Sequence, residues 1–164
     1  MTKIKIYDII FIEIKGKENK QMKIYLASPF FNEEELTVYK QVIQQLRNME
    51  HEVYVPQEHS IEGAWDMSNA HWARAVYRED IKAIDECECV MILNFGMYSD
   101  SGTAWEAGYA NALRKYTVQV LCGGDNATYS LMMINGCDKV VDLDNVDHFE
   151  EVSARTNLSK VIQK

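Results

Sequence analysis

From Lys23 onward, short apolar runs alternate with longer segments that are apolar on one side only. "KIYLA" (23–27) reads as a strand, and "SPFFNEEE" as a loop entering a helix that continues to about Met49. In that helix Leu36, Tyr39, Val42, Ile43 and Leu46 recur at the spacing that covers one face. "EVYVP" (52–56) is a second strand, stopped by Pro56, and "QEHSIEGAWDMSN" is a polar loop without periodicity. A helix from about Ala70 to Glu86 precedes "CVMILNF" (89–95), whose unbroken apolar run fits a strand covered on both faces. "DSGT" then turns into a helix through about Arg114, and "TVQVLC" (117–122) and "KVVDL" (139–143) supply two more strands. "SLMMING" between them reads as a short helix, and residues 146–162 as a final amphipathic one. Strands alternating with helices imply right-handed crossovers, so the expected α/β fold is a flavodoxin-like doubly wound five-stranded parallel sheet with helices on both faces.

Residues 1–21 stand apart from this pattern, with alternating Ile and Lys followed by the polar stretch "KGKENKQ". They are expected to be an N-terminal extension, either an extra edge strand or a non-native start ahead of Met22, with the main domain at 22–164. Net charge is −8, which argues against a nucleic acid polymer as partner, because neutralising phosphates needs clustered Lys and Arg. Cys87, Cys89, Cys122 and Cys137 lie in separate segments, apart from one C-x-C, and are expected to be reduced thiols. No signal-peptide pattern and no bilayer-length apolar run are present, so no membrane association and a cytoplasmic location are expected. His51 and His148 read as surface residues. No motif calls for a metal or another cofactor.

In a doubly wound sheet, ligands bind beyond the carboxyl ends of the strands. The loops there are "SPFFN", "GMYSDSGT" and "GGDNATYS". The second leads into "DSGTAWEAGYA" (100–110), where Glu106 is the only charge between Asp100 and Arg114. A carboxylate near a helix start can be a cap, favoured by the free N–H groups. Beside Ala104, Trp105, Ala107, Gly108 and Tyr109 it is equally placed to be a desolvated nucleophile. Asp80 shares the side of its helix that carries Tyr77 and Ile84, so it is either solvated or turned inward. Tyr25 is either core or a hydrogen-bond donor to an active carboxylate. Phe30 and Phe31 sit in a ligand-end loop and could stack on a planar ring. "CGGD" reads as a turn.

With "KIYLASPFFNEEE", "YREDIKAI", "DSGTAWEAGYA" and "SLMMI" in this order, the sequence resembles the nucleoside 2-deoxyribosyltransferase family over about residues 22–143. The resemblance implies a homo-oligomer with sites shared between subunits, using no cofactor and moving 2-deoxyribose from a deoxynucleoside to a free nucleobase. It assigns the nucleophile to Glu106, the tyrosine that holds it to Tyr25, the aspartate near the base that handles its proton to Asp80, and the aspartate six places before the nucleophile to Asp100. Ser28, Phe30, Phe31, Gly102, Ser130 and Met132 are the implied substrate-binding positions. Aromatic walls from Phe30, Phe31 and Trp105 would favour a base over water as acceptor, leaving hydrolysis as a slow side reaction.

One departure bears on the substrate. Family members commonly have an asparagine, reaching a neighbouring subunit's site, where this chain has Ser130. Relatives that hydrolyse deoxynucleoside 5′-monophosphates have a serine there, so a monophosphate N-glycosidase is the alternative reading. Those relatives also have a small neutral residue at the position of Asp100 and an arginine in the loop occupied here by Pro29, Phe30 and Phe31. A carboxylate close to a phosphate is strongly repulsive in a partly dry site, so Asp100 favours an uncharged 5′-hydroxyl. A more distant resemblance, to cytokinin-activating phosphoribohydrolases, lacks their Pro-Gly-Gly before the G-T-x-x-E. A nucleoside-sensing module without turnover would not need Tyr25, Asp80, Asp100 and Glu106 together.

Overall fold

The computed structural model describes residues 20–151. Five strands, β1 (Lys23–Ala27), β2 (Glu52–Tyr54), β3 (Cys89–Asn94), β4 (Tyr116–Leu121) and β5 (Lys139–Asp142), form one sheet in the order β2-β1-β3-β4-β5. All pairings are parallel. This is the flavodoxin-like doubly wound order, with its topological switch point between β1 and β3.

Strand periodicity sorts the core into two layers. Ile24 and Leu26 of β1, Met91 and Leu93 of β3, and Val118 and Val120 of β4 point to one face. There they meet Tyr39, Val42, Ile43 and Leu46 of helix α1 (Glu33–Asn48), with Val146 and Phe149. Tyr25, Ala27, Val90 and Ile92 point to the other face. They pack on Ala83 and Ile84 of α2 (Asn69–Glu86) and on Ala107 and Ala110 of α3 (Ser101–Ala112). Short α4 (Leu131–Asn135) covers the far end of that face with Ile134 against Leu121 and Val140. The buried positions of α3 are Thr103, Ala107 and Ala110. Small residues at this spacing bring the helix close to the sheet, and with it Glu106 close to β1.

Caps hold the ligand-end loops. Asn32 Oδ1 accepts the Glu35 N–H at 2.9 Å, and Glu35 Oε2 reaches back to the Phe31 N–H at 2.8 Å, pinning the "SPFFN" loop to the start of α1. At the other end of α2, Lys115 Nζ donates to the carbonyls of Asp85 and Cys87, at 2.6 and 2.9 Å.

Several expectations are corrected. His51 is buried, 5% exposed: its Nδ1 accepts the Met22 N–H at 3.2 Å and its ring lies 5.7 Å from Phe149. The residue follows the left-handed Glu50 (φ 66) that ends α1, and that reversal turns it under the sheet instead of toward solvent. The helix expected to reach Arg114 stops at Ala112, and Arg114 adopts φ 58 in the turn to β4. The polar loop after β2 contains two 3-10 turns, Pro56–Glu58 and Ala64–Asp66. Leu143–His148 is a 3-10 segment where the start of an α-helix was expected; the rest of that helix lies outside the described residues, as does nearly all of the 1–21 extension. Cys87, Cys89 and Cys122 are free thiols, the first two buried and Cys122 partly so, and Cys137 is buried. No described helix is long and apolar enough to cross a membrane.

Candidate active site

The carboxyl ends of β1 and β3 open into a cavity of about 730 Å³. Tyr25, fully buried on β1, donates its hydroxyl to Glu106 Oε1 at 2.8 Å across the first turns of α3. Behind it, the Tyr25 ring stacks on Tyr54 of β2 (5.5 Å, 14°), and Tyr54 stacks on His59 (4.0 Å, 6°). These aromatic layers fix the hydroxyl and therefore the carboxyl it holds.

Asp100 is the N-cap of α3. Its Oδ2 accepts the Thr103 N–H at 2.8 Å and the Thr103 hydroxyl at 3.2 Å. A Cβ at Gly102 would lie 2.8 Å from Asp100 Oδ2, so a side chain there would displace the capping carboxylate. The "DSGT" turn thus builds a cap, and the same geometry puts Asp100 in the cavity wall with Glu106. Asp80 reaches that wall from α2.

Burial is the main reason both inward carboxyls are hard to ionise. It pushes Glu106 up to about 7; the Tyr25 hydrogen bond opposes the shift, and the charges of Asp80 and Asp100 add to it. Asp80 is pushed up to about 6, again by burial first, with His59 opposing and Glu79 adding. Tyr25 is pushed far above the ordinary phenol range by burial and by Glu106, so it stays a donor. Two neighbouring carboxyls with raised affinities can hold one proton between them.

A raised carboxyl also destabilises the fold, with a definite sign. For Glu106 the folded value lies above the ordinary 4.5. Its favourable contribution is therefore complete below that value and is lost as pH rises through about 7. The size is roughly 3 kcal/mol at most. Glu106→Gln is expected to raise the melting temperature by several degrees at pH 8 and by much less at pH 5. Thermal unfolding at the two pH values checks this, and an equal gain at both contradicts it.

Ser28, Phe30, Phe31, Asp80, Asp100, Gly102 and Glu106 all line the cavity. The Ser28 hydroxyl donates to the Pro29 carbonyl at 2.7 Å. Phe30 is stacked on Tyr39 (5.5 Å, 23°), while Phe31 is largely exposed at the rim. Ser130 and Met132 do not line it: Ser130 begins α4, and Met132 is 83% exposed on that helix. Trp105 lies in a separate cleft of about 330 Å³ that it shares with Tyr77, Ile81 and Ile84. Asp80, Gly102 and Glu106 border both spaces.

The opposite wall was not legible as a site. His59, Ile61, Trp65 and Trp72 come from the loop after β2 and the first turn of α2. The fully exposed Trp65 is the one signal in that stretch, because an unburied tryptophan beside a cavity has no core role. Four carboxyls, Glu62, Asp80, Asp100 and Glu106, line the cavity together with His59, and among the described residues no Lys or Arg does. Among the described residues no three His, Cys, Asp or Glu side chains are grouped to hold a metal ion.

Comparison with known proteins bears on the family and the fold. The family model for nucleoside 2-deoxyribosyltransferase matches residues 24–143, from β1 to the end of β5. A 2-deoxyribosyltransferase from the psychrotolerant bacterium Bacillus psychrosaccharolyticus is 31% identical, over 77% of this chain and 91% of that one, with a TM-score of 0.67. A conserved protein from Enterococcus faecalis V583 superposes with a TM-score of 0.64 at 20% identity, covering 80% of this chain and 99% of its own. A CMP N-glycosidase from Clostridium botulinum does so with a TM-score of 0.52 at 20% identity, covering 76% and 98%. The last two speak for the fold alone. No curated protein matches the sequence. On the span of the family model, from the strand of Tyr25 past the helix of Glu106, this chain belongs to the nucleoside 2-deoxyribosyltransferase family.

Proposed function

We propose that the protein transfers 2-deoxyribose between nucleobases through a deoxyribosyl ester of Glu106. The observation that carries this reading is the 2.8 Å bond from the buried Tyr25 hydroxyl to Glu106 Oε1 on a cavity wall shared with Asp80. With Oε1 held, Oε2 is the oxygen that attacks C1′. The C1′–N bond breaks, its electron pair goes to the base nitrogen, and Asp80 gives that nitrogen its proton. The state between is oxocarbenium-like. A second base then attacks C1′ from the vacated side, returns a proton to Asp80 and frees the Glu106 carboxylate. Two inversions retain the β configuration. Stacking walls from Phe30 and Phe31 hold an incoming base better than water, so hydrolysis is the slow branch.

The substrate in this reading is a nucleoside with a free 5′-hydroxyl. Among the described residues four carboxyls and no Lys or Arg line the cavity, a field that repels a phosphate dianion. Ser130 favours the second reading, a 2′-deoxynucleoside 5′-monophosphate N-glycosidase. In the transferase reading Ser130 and Met132, which lie outside this chain's own cavity, complete the site of a partner subunit in a homo-oligomer. Incubation with cytosine and either 2′-deoxyadenosine or its 5′-monophosphate separates the readings. Deoxyadenosine is expected to yield deoxycytidine, with the monophosphate processed about a hundredfold more slowly or worse. Release of adenine from the monophosphate at an equal or higher rate, with no deoxycytidine formed, would establish the N-glycosidase instead. A cytoplasmic role in deoxynucleoside salvage is part of the same proposal.

A further inference from the structure

The end of β3 contains a buried polar pair that the proposed chemistry does not use. Asn94 is 0% exposed and Gln119, on β4, is 1% exposed. Asn94 Nδ2 donates to Gln119 Oε1 at 3.0 Å, and Asn94 Oδ1 accepts the Gly96 N–H at 3.0 Å. This arrangement allows one orientation of each amide. The Gly96 N–H needs an oxygen, so Oδ1 must face it; Nδ2 then faces β4, and Gln119 must answer with its own oxygen.

The bond to Gly96 sets how the chain leaves the sheet. Gly96 has φ 129, a region that favours glycine, and the Ser99 N–H closes the following turn onto the Gly96 carbonyl at 3.1 Å. Behind the turn, the Cys122 N–H donates to the Asn94 carbonyl at 2.8 Å. Gly123 lies so close that a Cβ there would sit 2.8 Å from the Phe95 carbonyl oxygen, and the Gly123 N–H is itself held by Tyr129 Oη at 3.0 Å. One residue past the turn is Asp100, whose cap starts α3 and so fixes the direction of the helix that carries Glu106.

We propose that Asn94, oriented by Gln119, is a positioning residue for the acids on the β3–α3 segment: its amide locks the Gly96 turn and thereby holds Asp100 and Glu106 in register with Tyr25. The base side of the cavity is built differently, from Phe30 and Phe31 after β1 and His59 after β2. Loosening the Gly96 turn therefore impairs reaction at C1′ and spares recognition of the base.

This rests on the role proposed for Glu106, and the test separates the two. Asn94→Ala, Asn94→Asp, Gln119→Leu and a control, Val120→Ala in the α1-facing core, are compared for transfer rate, affinity for free adenine and hydrogen exchange. Asn94→Ala is expected to lower kcat per folded molecule about 10- to 100-fold, the cost of a small misplacement. Adenine affinity should stay within about twofold, and exchange should quicken over residues 95–103 but not 22–31. Gln119→Leu should follow in the same direction, less strongly. Asn94→Asp keeps an oxygen for Gly96 and, protonated, a donor for Gln119, so it should recover most of the rate. Val120→Ala, although less stable, should keep its kcat. Unchanged kcat in both amide variants, an equal fall in Val120→Ala, or adenine affinity falling in step with kcat would each overturn the proposal. Wild-type protein that forms no adduct at Glu106 would instead refute the role proposed for that residue, and the exchange comparison would still judge the turn.

Discussion

Glu106→Ala is expected to abolish deoxyribosyl transfer, with a loss of roughly 10⁴-fold or more, as removal of a nucleophile typically causes. The carboxyl is held by Tyr25 at 2.8 Å. In the proposed mechanism Asp80 is committed to the leaving base, and Asp100 is tied to the start of α3 by the N–H and the hydroxyl of Thr103, without a tyrosine to aim it at C1′. Alanine in place of Glu106 removes the attacking oxygen and leaves the Tyr25 hydroxyl without its acceptor. Binding of a free base should survive, since Phe30, Phe31 and His59 come from other segments. Steady-state exchange of adenine for cytosine, measured beside adenine binding, checks both halves. Turnover above about a hundredth of wild type would mean that another group attacks C1′.

The second large effect concerns Asp80. Asp80→Asn is expected to slow transfer from 2′-deoxyadenosine about 10²- to 10⁴-fold, the range for loss of a general acid. The loss should depend on the leaving group. 7-Methyl-2′-deoxyguanosine already carries the positive charge that a proton would supply, so its base departs unassisted, and the variant should lose less than about tenfold with it. The reactive form needs Glu106 ionised and Asp80 protonated. With Glu106 at about 7 and Asp80 at about 6, wild-type kcat/KM should be bell-shaped with its maximum between those values. Below the maximum Glu106 gains a proton and ceases to attack; above it Asp80 loses the one the base requires. In Asp80→Asn the alkaline limb should disappear. The limb that remains should be set by Glu106 alone, at a value below about 7 because the Asp80 charge that helps raise it is gone. Equal losses with both substrates and an alkaline limb that persists in Asp80→Asn would assign the proton to another group.

How far the sequence revealed these features varied with how local their causes are. The parallel sheet with helices on both faces followed from alternation, since right-handed crossovers between short apolar runs place the helices there. Glu106 stood out because a lone acid among small residues has no solvated face to belong to. One of those neighbours, Ala107, is buried with Thr103 and Ala110 on the face of α3 that approaches the sheet. Asp100 was ambiguous between cap and site, and the geometry makes it a cap that also borders the cavity.

Other features depended on contacts that no local pattern carries. His51 looked like a surface residue at a polar helix end, and its burial is set by a left-handed residue before it and by Phe149 nearly a hundred positions on. The loop after β2 has no periodicity, so nothing marked His59 for stacking on Tyr54, and Trp65 was the one residue there that hinted at the cavity wall. Asn94 sat inside an apolar run and read as one more strand residue, yet its amide meets Gln119 on the adjacent strand. Trp105, expected at the base, borders a second cleft beside the same carboxyls, because its position on α3 turns it toward Tyr77 of α2.

The most direct test of the central claim is to trap the ester and find where it sits. A 2′-fluoroarabinosyl nucleoside forms the intermediate but slows its breakdown, since fluorine destabilises the oxocarbenium-like state. Intact mass should rise by one fluoropentosyl group, and peptide mapping should place that group on Glu106. Labelling at any other residue, or full turnover with no covalent species, would contradict the account.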